Sequence, residues 1–541
     1  MLPGLPATRG SAVYFLTGGR RNLMGASINQ INLSPDLHSS QYRESPLDLP
    51  STSQLLASGG DSRIDLARGQ NKYGCPPFPE PNVLAYGSST ASTITSESFA
   101  AAESLRLRLV RTARTKTAAA TYARELSRIR EEFLNLCELS DLPGVDVIFA
   151  ASGTDTHLIA AQLANDATSP GLLVVMTDPA ETGSGVPAAL AGRHFDSHTA
   201  LGNTVDAGTA FFGGGGIEIA TVANRTPDGS PRAAAIIDAE VQALVVEAAL
   251  AKRRVLLHLV DVSKTGMITP SLNCALGLRA RFPDFVEVLV DACQFRLALR
   301  TLRAYLQSGF WVALTGSKFV GGPAFSGALL LPDADELRTH VLPPALRSYS
   351  ARGDWPMGWT ARYALADVAN FGLLLRWEAA LVELRRFRLL PEPAIRAFLE
   401  TFASSVRRKL SAESTFQPLP AQEIDRRPLV NQSSWDHTPT IFPFILRRFD
   451  SGRAGMPLTR EETARVYALL RNGEVKLGQP VQCGEFKGTP ISALRLCASM
   501  PLVVDAVSET GRGPETVIRE ALLALDKTAA LTRAIDHLVP A

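Results

Sequence analysis

Short apolar, β-branched runs alternate with helical stretches from Val145 onward, and this alternation limits the fold more than any other feature of the 541-residue chain. The runs are Val145 to Ala150, Leu172 to Thr177, Val255 to Val260, Val286 to Val290, Trp311 to Leu314 and Ala328 to Leu331. Nearly continuous apolar strands separated by helices build a mostly parallel sheet covered on both faces, so the expected class is α/β. A second, smaller α/β domain is expected from about residue 346. Its strands are expected at Thr440 to Leu446 and Ser492 to Leu496, its helices at Arg460 to Leu470 and Pro514 to Leu525, with an exposed connection within Arg407 through Arg427. Residues 1–65, rich in Ser, Gly, Pro and Leu without a sustained period, read as a poorly packed N-terminal extension; 66–345 and 346–541 are then the large and small domains. Ala100 to Leu139 reads as helix, and Phe211 to Ile217 with the turn Thr226-Pro-Asp-Gly229 as a loop and hairpin between crossings.

Composition excludes several classes. A formal net charge of +2 leaves no nucleic-acid footprint, and no apolar run approaches membrane-spanning length. Cys75, Cys137, Cys274, Cys293, Cys483 and Cys497 are dispersed and lack a Cys-x-x-Cys pair, which suits a reducing, cytoplasmic compartment better than disulfides or a metal site. Arg9, Arg20 and Arg21 without a nearby acid mimic a transit peptide, but no continuous apolar core of a secretory signal accompanies them.

Chemistry concentrates at two strand ends. Thr315-Gly-Ser-Lys-Phe-Val-Gly-Gly-Pro-Ala-Phe-Ser-Gly327 places Lys318 just past the apolar run Phe310 to Leu314, among hydroxyls and glycines. A desolvated amine is more readily neutral, and neutral amine attacks an aldehyde, so the segment suits a Schiff-base lysine. Upstream, Val286-Glu-Val-Leu-Val-Asp-Ala-Cys-Gln294 is a strand ending in an acid, Asp291, suited to pair with a pyridinium nitrogen. Alone, such a lysine is ordinarily a solvated strand end and such an aspartate a helix cap. Together they point to pyridoxal phosphate.

Two further stations precede them. Ala151-Ser-Gly-Thr-Asp-Thr-His157 carries a strand into a helix start, where backbone amides and the dipole favour a phosphate. Asp261-Val-Ser-Lys-Thr-Gly266 follows, and Lys318 stands 27 residues after Asp291 (318 − 291). The series resembles the fold-type I pyridoxal-phosphate enzymes, most closely the class V aminotransferase and cysteine desulfurase group, over roughly residues 70 to 500. The resemblance implies a seven-stranded-type, mostly parallel large-domain sheet with a smaller C-terminal α/β domain, and pyridoxal 5'-phosphate as cofactor. It implies Lys318 as the Schiff-base lysine, Asp291 as the pyridinium partner, and Ser152, Gly153, Thr154, Thr315 and Ser317 around the phosphate. Ser263, where the family usually has Asn, and Gln294 would reach the phenolic oxygen. Ser326 would be a phosphate donor lent across the two-fold seam of a homodimer with shared sites. Arg495, in Ser492-Ala-Leu-Arg-Leu496, would grip the α-carboxylate of an amino-acid substrate. Tyr73 and Tyr86, in a Pro- and Gly-rich N-terminal loop, would approach that substrate.

Departures from the family pattern are as informative. After Leu172 to Thr177 the family commonly places Glu-His, the histidine stacking on the ring; here Glu181 is followed by Thr182, which cannot stack. His157, His194 and His198 are the nearest substitutes in sequence, His157 otherwise being an ordinary first-turn helix residue; the alternative is a subfamily with room for an unusual substrate. Cys483, twelve residues before Arg495 (495 − 483), stands broadly where desulfurases carry a nucleophilic cysteine, without their surrounding sequence. Cys293 beside Asp291 reads as small-residue packing. Gly183-Ser-Gly-Val-Pro-Ala188 matches a dinucleotide fingerprint loosely, because five residues separate it from the strand and no acid closes a second strand, so a dehydrogenase stays a formal competitor beside a non-catalytic cofactor-binding protein. A transferase or lyase acting on an α-amino acid is expected, with transamination, cysteine C–S cleavage and elimination or coupling on S-adenosylmethionine all open.

Overall fold

The computed structural model describes residues 48–112, 117–165, 171–211, 216–332, 335–420, 422–432, 434–450 and 453–535. Most of the Ser-, Gly- and Pro-rich N-terminal stretch, and part of the glycine tract after Phe211, therefore lie outside the described residues. Fourteen strands are numbered in chain order: β1 Leu84–Tyr86, β2 Asp146–Ala150, β3 Leu172–Thr177, β4 Ile217–Val222, β5 Arg254–Asp261, β6 Ile268–Thr269, β7 Val286–Ala292, β8 Trp311–Thr315, β9 Gly327–Leu331, β10 Phe416–Pro418, β11 Ile441–Asp450, β12 Arg453–Pro457, β13 Val475–Phe486 and β14 Thr489–Cys497.

The larger sheet runs β2-β9-β8-β7-β5-β3-β4, with β6 paired to β5. The β8–β7, β7–β5, β5–β3 and β3–β4 pairs are parallel, and β9 runs against both of its neighbours. All six apolar runs expected as strands are strands of this sheet. β3, β8 and β9 are buried at every position, as an apolar strand covered on both faces must be. β4 was absorbed into the glycine-rich loop by sequence; it is the sheet's edge, its residues mostly half-buried or exposed, so no apolar run announces it.

The smaller sheet has the order β1-β13-β14-β11-β10, with β12 on β11. The expected strands at 440–446 and 492–496 fall in β11 and β14, and the expected helices become Arg460–Asn472 and Pro514–Arg533. The first is closed by a capping box in which Thr459 accepts from the Glu462 amide and Glu462 accepts from the Thr459 amide. β13 went unread because Gly478, Pro480 and Gly484 interrupt its pattern; the structure absorbs them as register shifts against β14. β1, expected as irregular loop, pairs in parallel with β13 and so ties the N-terminal loop to the smaller sheet.

Two other expectations are corrected. The single helix expected over 100–139 is two, Ser96–Thr112 and Ala118–Leu136, the second capped by Thr117. Residues 52–64, placed by composition in a poorly packed extension, pack: Leu55, Leu56 and Ile64 are buried, and Arg376 binds the carbonyls of Ser58 and Gly59. The stretch 407–427 does include an exposed connection, with Glu423, Asp425 and Arg427 exposed, but not all of its charge faces solvent. Arg407 lies in the helix Glu392–Ala412, and Arg426 is wholly buried, bonding both oxygens of Asp261 at 2.8 and 2.6 Å. Charge marks solvent only where no buried partner exists, and Asp261, at the end of β5, is such a partner.

Candidate active site

Every parallel strand of the larger sheet ends on one side, and the crevice there is where α/β folds place their chemistry. Asp291 is the penultimate residue of β7, Thr315 the last of β8, and Ser152 follows β2 by two residues. One cavity gathers Ser152, Gly153, Thr154, Asp291, Thr315, Ser317, Lys318, Tyr73 and Arg495 on its wall.

At one end the helix Gly153–Ala164 begins. Ser152 caps it, its Oγ accepting from the Thr154 and Asp155 amides at 3.1 and 3.3 Å. A Cβ on Gly153 would stand 2.8 Å from Cys293 Sγ and 3.0 Å from Thr315 Cγ2, so glycine is what lets this helix start approach the ends of β7 and β8. Thr315 Oγ1 donates to the Cys293 carbonyl at 2.6 Å. Arg63 completes this end, donating to Thr154 Oγ1 at 3.2 Å and Ser152 Oγ at 3.3 Å while Asp61 holds its guanidinium from behind at 2.8 and 2.5 Å. Its charge is retained against burial by Tyr73, Asp61 and Asp155. Neighbouring Asp155 is pushed up to about 7 by burial and by Asp61. Sequence reasoning missed Arg63 because it lies in the stretch taken for an extension, where no motif marks it.

In the middle stands Asp291. Its Oδ1 accepts from the Cys293 amide at 3.1 Å, and its Oδ2 lies 3.5 Å from His157 Nε2 and 3.7 Å from His258 Nε2. His157 Nδ1 is 2.5 Å from the Gly153 carbonyl, so that nitrogen carries the hydrogen, and the two Nε2 atoms are 3.1 Å apart. Burial alone would raise the Asp291 carboxyl, but the two imidazoles outweigh it and hold the group well below the usual range. His157 is therefore more than a first-turn residue: it anchors the acid to the helix start. His258, in mid-strand β5, carries no sequence signal beyond one histidine in an apolar run. The three side chains bring donor atoms within 4.8 Å of one another, a donor set that zinc also accepts.

Lys318, Arg495 and Lys264 line the same cavity. Arg495 Nη2 donates to Thr90 Oγ1 at 3.0 Å and the Gln479 carbonyl at 2.6 Å, and its buried Nε has no partner. Lys264 lies in the Asp261–Gly266 station and lines the cavity, although the station was read for Ser263.

Several expected site residues lie elsewhere. Ser263 points its hydroxyl to Glu181 at 2.7 Å, inside a cluster in which Thr265 and Arg225 also bind that carboxylate. Gln294 sits behind the cavity wall, donating to the Ser89 carbonyl at 3.0 Å. Ser326 is fully buried within its own chain and would meet a Cβ at Gly316 at 3.0 Å, so it is not presented for loan. Tyr86, on β1, stacks on Phe402 and donates to the Val517 carbonyl at 2.9 Å. Cys483, on β13, is buried among Leu419, Ile445 and Ile491 and does not line the cavity, and burial pushes its thiol up to about 12. The Cys293 thiol is also raised well above its usual range, by burial and by Asp291. Thr182 is bonded to the Pro179 carbonyl, His194 to Tyr349 and His198 to Ser197, and none of the three lines the cavity. Gly183 and Ser184 do line it, but the helix after them has only five residues, too short for a dinucleotide-binding helix.

No family model matches the chain, and no curated protein matches it. Among solved structures the chain is similar to the cystine C-S lyase C-DES, solved with its reaction product cysteine persulfide, at 16% identity over 82% of this chain and 98% of that one, with a TM-score of 0.50. It is also similar to the cysteine desulfurase CsdA of Escherichia coli (15% identity, 83% and 95% covered, TM-score 0.49) and to TDC of Oryza sativa with PLP and tryptamine (13%, 85% and 86%, 0.49). At such identities the likeness is one of fold. The chain has the fold of the C-S lyase, and this is the fold-type I architecture that the four stations imply.

Proposed function

We propose that this is a pyridoxal-phosphate-dependent enzyme, a transferase or lyase acting on an α-amino acid. The observation that carries it is the convergence of Lys318, Asp291 and an anion-favouring helix start on one cavity at the carboxyl ends of the strands. The residues fit the group. The helix start with Arg63, Ser152, Thr154 and Thr315 suits a phosphate, the ionised Asp291 suits a pyridinium, and Lys318 is within the same enclosure. Bound there, pyridoxal phosphate supplies an electron sink for the breaking bond at the substrate's Cα. Asp291, kept ionised by His157 and His258, holds the ring-nitrogen proton. Lys318 would hold the cofactor's aldehyde carbon and would accept and return protons at the substrate's Cα. Arg495, on the cavity wall, would orient the α-carboxylate.

The protein's own thiols favour no desulfurase reading, because all six cysteines are buried and Cys483 is walled off from the cavity. A sulfonium substrate such as S-adenosylmethionine is disfavoured too, because Arg63, Lys264, Lys318 and Arg495 face a single lining carboxylate, Asp291. Borohydride reduction of the protein loaded with pyridoxal phosphate should fix the cofactor on Lys318; peptide mapping that finds the label on another lysine, or no label, ends this reading.

Homodimeric assembly is part of the proposal, resting on the family resemblance now that Ser326 is withdrawn as the lent residue. No helix among the described residues is long and apolar enough to cross a membrane. Sedimentation of the loaded protein at micromolar concentration should give a dimer, and an active monomer would remove this part.

A further inference from the structure

One cation of the cavity is left over once the cofactor and an α-carboxylate have been served. Arg63 is turned to the helix-start hydroxyls, and Asp291 is engaged by His157 and His258. Arg495 then meets the substrate's α-carboxylate, and Lys264, lining the same cavity, has no carboxylate of its own. Its Nζ donates only to the Ala180 carbonyl, at 3.2 Å, so two of its three N–H donors are free.

The nearest acid cannot turn to neutralise it. Glu181 is committed to Ser263 Oγ at 2.7 Å, to the Thr265 amide at 3.1 Å, to Thr265 Oγ1 at 2.6 Å and to Arg225 Nε at 3.1 Å. The same cluster fixes where Lys264 stands, because its amide donates to the Glu181 carbonyl at 3.0 Å and its flanking residues hold the Glu181 side chain. Its own carbonyl receives Arg495 Nη1 at 3.4 Å. The ammonium is therefore preorganised beside Arg495 with no carboxylate in contact with it. Its pKa is pushed down to about 8, because burial and the Arg495 and Lys318 charges outweigh the opposite pull of Glu181 and Asp291.

Resting on the cofactor reading above, we propose that the substrate is an α-amino acid with an acidic side chain, Arg495 taking its α-carboxylate and Lys264 its second anionic group. A single α-carboxylate leaves one of these two positive charges without an anion of its own, and a second anionic group on the substrate supplies it.

Titrating the cofactor-loaded protein with L-aspartate, L-glutamate and L-cysteate against L-asparagine, L-glutamine and L-alanine, read as the shift of the visible band, tests this. The acidic members should saturate at concentrations at least about tenfold below their neutral isosteres. In Lys264→Met that ratio should collapse toward one, and in Lys264→Arg, which keeps the charge, it should survive. Equal saturation by acidic and neutral members in the wild type would overturn the inference. So would a Lys264→Met protein, folded by its melting curve, that weakens both sets alike, because the lysine would then be gripping the α-carboxylate with Arg495. These outcomes leave the cofactor reading intact. A loaded wild-type protein without a visible band or a Lys318 label would overturn that reading and this inference with it.

Discussion

Lys318→Ala should reduce turnover by on the order of 10⁴-fold while the cofactor still binds without a covalent link. The cradle for the phosphate and the ring does not depend on the amine: Ser152, Thr154, Arg63 and Asp291 keep their hydrogen bonds without it. On the proposed reading, what is lost is the covalent attachment and the lysine that carries protons at the substrate's Cα. Lys264 is the one other lysine on the wall, and its position is fixed by the Glu181 cluster. Borohydride should no longer label the alanine variant, and added primary amines should restore a fraction of the rate. Asp291→Asn should be milder, on the order of 10², because the carboxamide keeps its place beneath the Cys293 amide but loses the charge that holds the ring proton. A Lys318→Ala protein with turnover near wild type would remove the lysine from the chemistry.

Arg426→Met should destabilise the fold by about 3–5 kcal/mol, among the largest single-site effects available outside the cavity. The guanidinium is wholly buried between two acids. It bonds Asp261 through Nε and Nη2, donates to the Asp436 carbonyl at 2.7 Å and lies 3.6 Å from the Asp436 carboxylate. Tyr305 adds a hydrogen bond to Asp261 at 2.6 Å, and Asp436 accepts from the Ala298 amide at 2.8 Å and from Thr301 at 2.7 Å. Removing the arginine leaves two buried carboxylates without their cation, whereas methionine fills most of the volume, so the cost is electrostatic. Arg426→Met with Asp261→Asn should recover part of the loss, because one stranded charge is removed as well. Chemical denaturation compares the three proteins, and an Arg426→Met midpoint equal to wild type would show that the cluster contributes nothing. Because Asp261 opens the turn that carries Lys264, the single variant should also weaken substrate binding.

Sequence alone determined the parts of this protein that rest on local chemistry. An apolar run with β-branched residues buries itself on both faces wherever helices flank it, so all six runs of the larger sheet were readable, and with them the fold class. Ser-Gly-Thr at a strand-to-helix junction, an acid at a strand end and a lysine after an apolar run each carry their meaning within a few residues, and those positions do line one cavity. Tertiary structure alone decided which neighbours those residues have. Arg63 reaches the helix start from a stretch whose composition suggests no packing, because one buried acid, Asp61, suffices to hold it. His157 and His258 are 101 residues apart and meet only because the helix start and β5 flank the end of β7. Ser263, Gln294, Ser326 and Tyr86 were expected at the site from the family resemblance, yet none of them lines the cavity, since a polar group in an interior must bond whatever acceptor or donor the fold brings nearest. Spacing along a chain fixes the direction of a strand end or helix start, but the charge that reaches it from far away in sequence is settled by packing.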